Sequence, residues 1–543
     1  MDSRAQQLIK FAGGLESHRD EWKGIWDMLR RRIVPRKSIE DNQPNIPDFE
    51  RHHSSSAWRA ANMLAASHMM YIVTINQPWF RYKSPNGDEK SEKWYGNCTE
   101  QTLKTLSASN FYTEIHQCVL DRVIFGTGAM CAFGDDKRGV SFKHIPCGTY
   151  AIAEGANWCV DVLVRRFQYS ARQAADDFGL DNLGEKLKVA YEDEAKQNNV
   201  EHEFIHVVRP NKKFKLGSVN PKEKRYESVY VSVSDKVVVE DRGYSDFPFF
   251  VTRFERYGKS AYGLPPGLAA MPDIYRALYI EGLLDTAGEI AVYPRVLELA
   301  NQIGEIDFRA GGRTIITPEA ASLNVPKEWM TNARYDIGQD RLKYYDEKIH
   351  QAFYADMIQV ISNIDREMTA TEVNAREAEK LLVFAPSYSQ MVSDLETLHR
   401  RLFGMQLEAG SMWFAADSIP NEAKNEGGQV VPPRQSYQGK IALAMERLQT
   451  EGLSYAMNDI AGLSQIFPGI LDGIDSDKIL PIVWRNRFAP EGVLKDPDEV
   501  ARIRQEKVEQ EQAMIEMQMA QAGAGVAKDA ASAGKTAREG GLI

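Results

Sequence analysis

One stretch of the chain has the spacing of a catalytic metal site: His202-Glu203-Phe204-Ile205-His206. On a helix, two histidines four residues apart share a face and can hold zinc, with the glutamate as general base. The neighbours argue otherwise. Val207-Val208 and Arg209-Pro210 follow, and the run alternates as a strand does. On a strand His202 and His206 share a face but stand about 13 Å apart, too far for one metal. Gly258-Lys259-Ser260 and Gly534-Lys535-Thr536 end like phosphate loops, but Arg253 and Asp529 occupy the position of the first glycine that the cradle needs. Gly126-Thr127-Gly128 is too short for a dinucleotide fingerprint. No Gly-x-Ser-x-Gly elbow occurs, and no cysteine has an evident base partner. No catalytic residue, bound metal or cofactor is expected, and the chain is not read as an enzyme.

A different spacing stands out between Tyr262 and Pro294. A turn cluster, Gly263, Pro265, Pro266 and Gly267, leads into a helical pattern that starts at Pro272, with Ile274, Ala277, Leu278, Ala287, Ile290 and Ala291 at helical intervals. Asp273, Glu281, Asp285 and Glu289 recur at multiples of four. Like charges at that spacing cost an isolated helix a few tenths of a kcal/mol per pair. The plain reading is a solvated face; the alternative is a wall that has a use for negative charge.

These features must be positioned by a chain of 543 residues, too long for one core, so two to four domains are expected. Its composition, 43% hydrophobic and 26% charged, is that of a globular protein. A net charge of −10 argues against a surface that grips nucleic acid throughout, though not against a protein that DNA passes through. The five cysteines include no CxxC pair and are odd in number, which reads as free thiols in a reducing compartment. No apolar signal region and no membrane-length apolar run is seen, so a cytoplasmic setting is expected.

In chain order, 15–34 reads as a helix with Trp22, Trp26, Leu29 and Ile33 on one face and Arg30, Arg31 and Arg32 in its last turn. A second helix spans about 57–74 before Pro78-Trp79-Phe80, and 90–125 is helical. From 126 to 167 short strand-like runs take over. Ser170 caps a short helix that Gly179 stops. Residues 204–208, 229–233, 237–239 and 249–254 alternate as strands. After Pro266 the chain is mainly helical. The exceptions are a mixed excursion at 294–334 and a loop at 415–436. Helices are expected at 338–362, from 369 to a break at Pro386, onward through Met391, Leu395, Leu398 and Leu402, at 437–450 and at 497–520. The class is α+β, mainly helical.

The Tyr262-Gly263-x-x-Pro266-Gly267 turn, the acidic helix, Pro78-Trp79-Phe80, Met368-Thr-Ala-Thr-Glu372 with Arg376, and Tyr437-Gln-Gly-Lys-Ile-Ala-Leu-Ala, in that family's order along most of the chain, resemble the portal proteins, or head-to-tail connectors, of short-tailed phages. The resemblance implies a portal-type subunit: a wing domain at 1–265, a stem helix at 266–293, a clip at 294–334 and a second stem helix at 335–365. Tunnel and upper wing helices would follow at 366–410, crown helices at 411–520 and a disordered tail at 521–543. It implies a ring of twelve at one capsid vertex of the virion, assembled in the host cytoplasm. Double-stranded DNA would pass through it during packaging and ejection. Terminase, a tail adaptor protein and capsid and scaffolding proteins would be its partners, with no membrane. Asp273, Glu281, Asp285 and Glu289 would line the channel. The alternatives are an HExxH-type metalloprotease and a generic helical scaffold.

Overall fold

A computed structural model of the chain describes residues 3–34, 54–292 apart from 76, 86, 136–138 and 219, 295–297, 327–329, 334–355 and 385–437. Towards the C-terminus it describes 457, 460, 479 and most of 499–515. The chain divides into two compact units, Met1–Ala444 and Met445–Ile543. In the second, helical residues between 499 and 515 agree with the helix expected at 497–520. Among the described residues the strands and the other long helices lie in the first.

A five-stranded antiparallel meander holds β4 (Tyr150–Glu154), β5 (Val160–Ser170), β6 (Glu201–Pro210), β7 (Tyr226–Ser232) and β8 (Val237–Tyr244) in that order. Helices cover both its faces. Ala5, Leu8 and Ala12 of α1 (Ser3–Ile33) pack on Val164, Ile205, Val207, Val229 and Val231. On the other face Ala174 and Phe178 of α5 (Ala171–Phe178) and Leu187 of α6 (Glu185–Glu192) meet Phe204 and Val239. Ser170 caps α5 with a full capping box, and the helix ends at Gly179. Helix α1 starts twelve residues before its expected start, running through Gly13 and Gly14, because its first turns have a sheet face to cover.

The main core lies between α1, α2 (Ser55–Tyr71), α3 (Glu89–Ala108), α4 (Phe111–Phe125) and a three-stranded sheet of order β3 (Gly139–Ile145), β2 (Thr127–Asp135), β9 (Phe249–Arg253). Two long helices leave it: α7 (Pro266–Val292) and α8 (Tyr335–Ala352). Between them β10 (Arg295–Leu297) and β11 (Lys327–Trp329) pair antiparallel. The sequence places the start of α7 at Pro272; it starts at Pro266. A proline at the first helical position loses no hydrogen bond, so the turn cluster ends inside the helix. Pro272 then sits within the helix, one backbone donor short.

Helix α9 (Ala385–Ala409) carries Pro386 as its second residue, and the stretch before the expected break lies outside the described residues. The expected helices between 356 and 384 lie outside the described residues. β12 (Arg434–Tyr437) corrects the sequence reading: Tyr437 ends a strand instead of opening a helix, and the remainder of 437–450 lies outside the described residues. β12 pairs antiparallel with β1 (Phe80–Lys83), Phe80 opposite Tyr437. Two motifs that stand more than three hundred residues apart are thus strand partners. They share an aromatic cluster in which the His399 ring of α9 lies 4.2 Å from Phe80 and 5.9 Å from Tyr437.

The root of α7 depends on two glycines. Gly126 caps α4 with φ +85°, its N–H donating to the Arg122 carbonyl at 3.0 Å. A Cβ on Gly126 would stand 2.0 Å from the Gly263 carbonyl oxygen, and one on Gly263 2.3 Å from that of Gly126. Gly126→Ala should therefore destabilise the fold by at least about 2 kcal/mol, from left-handed strain plus a backbone clash. Gly14→Ala, exposed on α1 with nothing near its Cβ, should instead stabilise by about 0.5–1 kcal/mol. Thermal unfolding of both variants checks this; equal effects would sink the account.

Candidate functional site

His202 and His206 lie on β6, not on a helix. His206 is buried, its ring stacked on Tyr230 at 3.9 Å; Nε2 is 2.9 Å from Ser228 Oγ, and Arg165 Nε donates to Nδ1 at 3.2 Å. Burial and then the Arg165 charge hold its pKa well below 6.5. His202 pairs with Tyr169 across the ladder, where His206 pairs with Arg165. The two histidines are separate parts of a sheet. Among the described residues no group of three or more His, Cys, Asp or Glu could hold a metal. Four of the cysteines are buried and Cys159 is exposed, all as free thiols. Among those residues no helix is long and apolar enough to cross a membrane.

What the fold projects is the α7–α8 hairpin. Its seam is antiparallel. A Cβ on Gly338 would come within 2.6 Å of Leu284 Cδ2, and the Arg276 guanidinium lies 5.9 Å from the Tyr345 ring centre. Of the apolar residues read on α7, Ile274 and Ala277 are in the core, Leu278 packs against it, and Ile290 is half-buried. Of the acids, Glu281, Asp285 and Glu289 are exposed. Asp273 is half-buried at the root, 3.6 Å from Arg276. Steps of four drift around a helix of 3.6 residues per turn, so the ends of the row point about 160° apart. The last three form the continuous strip.

The root is held by Tyr262 and Trp26, which stand in stretches the sequence marks, and by Arg122, His68 and Asp394, which no sequence pattern singles out. Tyr262 is buried against Trp26 with ring centres 5.1 Å apart, and its hydroxyl accepts from the Ile152 N–H at 3.3 Å. Trp26 Nε1 donates to the Phe125 carbonyl at 3.0 Å. One turn before Gly126, Arg122 is wholly buried. Its Nε donates to the Arg253 carbonyl at 3.0 Å, Nη1 to His68 Nε2 at 3.0 Å, and Nη2 to the Ser387 carbonyl at 2.9 Å. The His68 Nδ1–H donates to the Leu64 carbonyl at 2.8 Å. Burial, then the arginine charge, lowers its pKa to about 3. Asp394 accepts from Thr252 Oγ1 at 2.9 Å and from the Arg253 N–H at 3.1 Å, and burial raises its pKa. α2, α4, β9 and α9 are tied at one point beneath the hairpin. Arg30 and Arg31 both pair with Asp27, Arg31 Nε at 2.6 Å, and Arg32 lies 5.2 Å from the Tyr275 ring centre. All three are engaged within the chain.

A family model described as bacteriophage head to tail connecting protein matches residues 5–494. The portal protein of Salmonella phage epsilon15 is 25% identical over 546 residues, covering 97% of this chain and 95% of its own. The probable portal protein of Bordetella phage BPP-1 is 24% identical over 548 residues, covering 96% and 94%. Among solved structures, a chain titled virion of native gene transfer agent particle matches with a TM-score of 0.34 and 12% identity, over 84% of this chain and 92% of that one, a likeness too weak to speak to the fold.

Two outcomes follow from the histidines. Purified protein should retain no zinc; about one zinc per chain, lost on His206→Ala, would overturn the strand account. His399 is buried, and burial lowers its pKa to about 3. Its folded pKa lies below the unfolded 6.5, so the unfolded chain takes a proton that the folded chain refuses between those values. The stability this neutral ring contributes is complete above 6.5 and is lost as pH falls towards 3, by up to about 1.4 kcal/mol per pH unit. His399→Gln should therefore lose less stability than the parent between pH 7 and 5. Identical slopes in denaturant melts would refute this.

Proposed function

We infer the function from membership: the chain belongs to the bacteriophage head to tail connecting protein family. It is a structural component of a phage virion, with the role of a portal protein, and not an enzyme. The family implies an oligomeric ring associated with the capsid. Beyond that, we propose that twelve copies form the ring at one capsid vertex, after assembly in the host cytoplasm. The part before residue 266 serves as the wing, α7 and α8 as the stem, and 294–334 as the clip. The tunnel and upper wing helices at 366–410 and the crown at 411–520 complete the subunit.

The observation that carries the channel reading is the exposed acidic strip on the longer helix of a projecting hairpin. Each lysine–phosphate contact releases counterions and adheres. An acidic wall removes that adhesion, which suits a conduit for double-stranded DNA. On this reading the exposed end of the row Asp273, Glu281, Asp285 and Glu289 faces the DNA, with Asp285 and Glu289 nearest the axis. The clip contacts terminase and later a tail adaptor protein, while capsid and scaffolding proteins hold the ring in its shell. No motor site is needed in this chain.

Replacing Asp285 and Glu289 together by lysine should leave rings intact and slow DNA transit. The salt dependence of DNA retention should steepen by roughly one unit of log–log slope per new lysine–phosphate contact. Transit unchanged at low salt would refute the lining. Replacing 298–326 by a short turn, which keeps the β10–β11 pairing, should leave rings and abolish terminase and adaptor binding. Rings that fall apart would refute the clip.

A further inference from the structure

The side of the hairpin away from the acids carries large apolar residues that remain exposed, with Arg32 over the Tyr275 ring. On α7 they are Tyr275, 43% exposed, Tyr279, 69%, and Leu283, 51%. On α8 they are Ile337, 47%, and Tyr344, 54%. Single exposed apolar residues need no explanation; a contiguous set does. These are contiguous. Tyr275, Tyr279 and Leu283 follow at intervals of four, and Ile337, Arg341, Tyr344 and Lys348 at four, three and four, so each set is one row. The contacts of Leu284 with Gly338 and Arg276 with Tyr345 fix where the helices face each other. Counted from that seam at 3.6 residues per turn, both rows fall about 80–100° round, on the same side of the antiparallel pair. Glu281 falls about 100° round on the opposite side, and Asp285 and Glu289 still further from the seam. One side is therefore apolar and aromatic, with Arg341 and Lys348 exposed along it; on the other the exposed charges of α7 are acidic, with Lys343 of α8 about 150° from the seam.

The charges decide what can cover the apolar side. Two copies meeting through the same side would bring Arg341 and Lys348 of each against those of the other. Like charges brought together this way are repulsive and select against that partner. The complementary surface is the acidic flank of the same hairpin. A contact between two different sides of one element is heterologous, and a heterologous contact repeats into a ring when its rotation closes.

We propose that the Tyr275–Tyr279–Leu283 and Ile337–Tyr344 side of one hairpin docks on the Glu281 flank of the next copy, with Arg341 and Lys348 set against that flank. This rests on the ring reading above and gives the ring its seam. The aromatic residues act as the buried anchors of the contact, the role such side chains fill at protein interfaces. Arg341 and Lys348 set the register. Asp285 and Glu289, further round the helix, stay directed to the axis. The seam thereby sorts the acidic row: Glu281 joins copies, and its neighbours front the channel.

The test uses the full chain, with sedimentation velocity and negative-stain microscopy. Tyr279→Asp with Leu283→Asp alters two exposed positions, so the circular dichroism of the folded chain should match the parent. The concentration needed for ring formation should rise at least about tenfold, as expected when anchors are lost from every contact. Arg341→Glu with Lys348→Glu should also weaken rings, and adding Glu281→Arg should restore them. Rings that persist unchanged in the Tyr279/Leu283 variant would overturn the proposed seam while leaving the ring reading standing. Rings lost in the Arg341/Lys348 variant and not restored by Glu281→Arg would overturn the Glu281 flank as the receiving surface. A parent chain that forms no rings would refute the ring reading and the seam with it.

Discussion

The approach of Gly126 to Gly263 is the constraint on which the hairpin depends. Neither backbone can accept a Cβ, and the Gly263 N–H donates to Thr127 Oγ1 at 2.9 Å. That contact fixes the end of α4, the start of β2 and the entry to α7 within a few ångströms. Gly267, one turn on, lies against Leu29 and Ile33 of α1. The direction in which α7 leaves the core is therefore set by backbone contact, which has no rotamers to relax. On the proposed reading α7 presents one side to a neighbour and another to an axis, and a helix with that task needs a root of that kind.

Arg122 does for the surrounding elements what the glycines do for the hairpin. A buried guanidinium is costly unless its donors are met, and breaking such a set typically costs about 3–5 kcal/mol. Here its partners come from α2, β9 and α9. The neutrality of His68 belongs to the arrangement: its Nε2 must accept from the guanidinium, and a second cation there would be repelled. The desolvation that lowers the pKa of His68 and the charge that lowers it further keep the ring neutral, and the Leu64 carbonyl with the guanidinium selects its tautomer.

Features written in local pattern were legible. The alternation through 202–210 identified a strand and removed the metal reading of His202 and His206, and Ser170 announced the cap of α5. The strand pairing of Phe80 with Tyr437 was not legible, since nothing local in either segment encodes a partner so distant in sequence. The ends of α1 and α7 were misjudged for different reasons. The expected start of α1 at 15 left out turns that a sheet face holds helical, and prolines suggested a turn where a first helical position accepts them. For the candidate site the residue types were visible but their directions were not. Multiples of four looked like one face, yet only Glu281, Asp285 and Glu289 form an exposed strip, and the opposing apolar row emerged only once α8 fixed the seam.

The acids also stand at the wrong end of their helix. The last turns of α7 expose carbonyl groups and carry partial negative charge, and no basic residue occupies the last turn. Glu289 lies in that turn, where an anion costs about 0.3–1 kcal/mol, in addition to repulsion between Asp285 and its neighbours at intervals of four. Lysine at 289 would serve the helix better. Stability of the isolated helix therefore does not explain the strip, and the seam with α8 together with packing at the root must offset its cost. A wall facing phosphate reverses the balance. There the field of the carbonyl end and that of the carboxylates add with the same sign, so the helix terminus reinforces the repulsion that keeps DNA from adhering. What is unfavourable within one chain is, on the proposed reading, what a conduit requires.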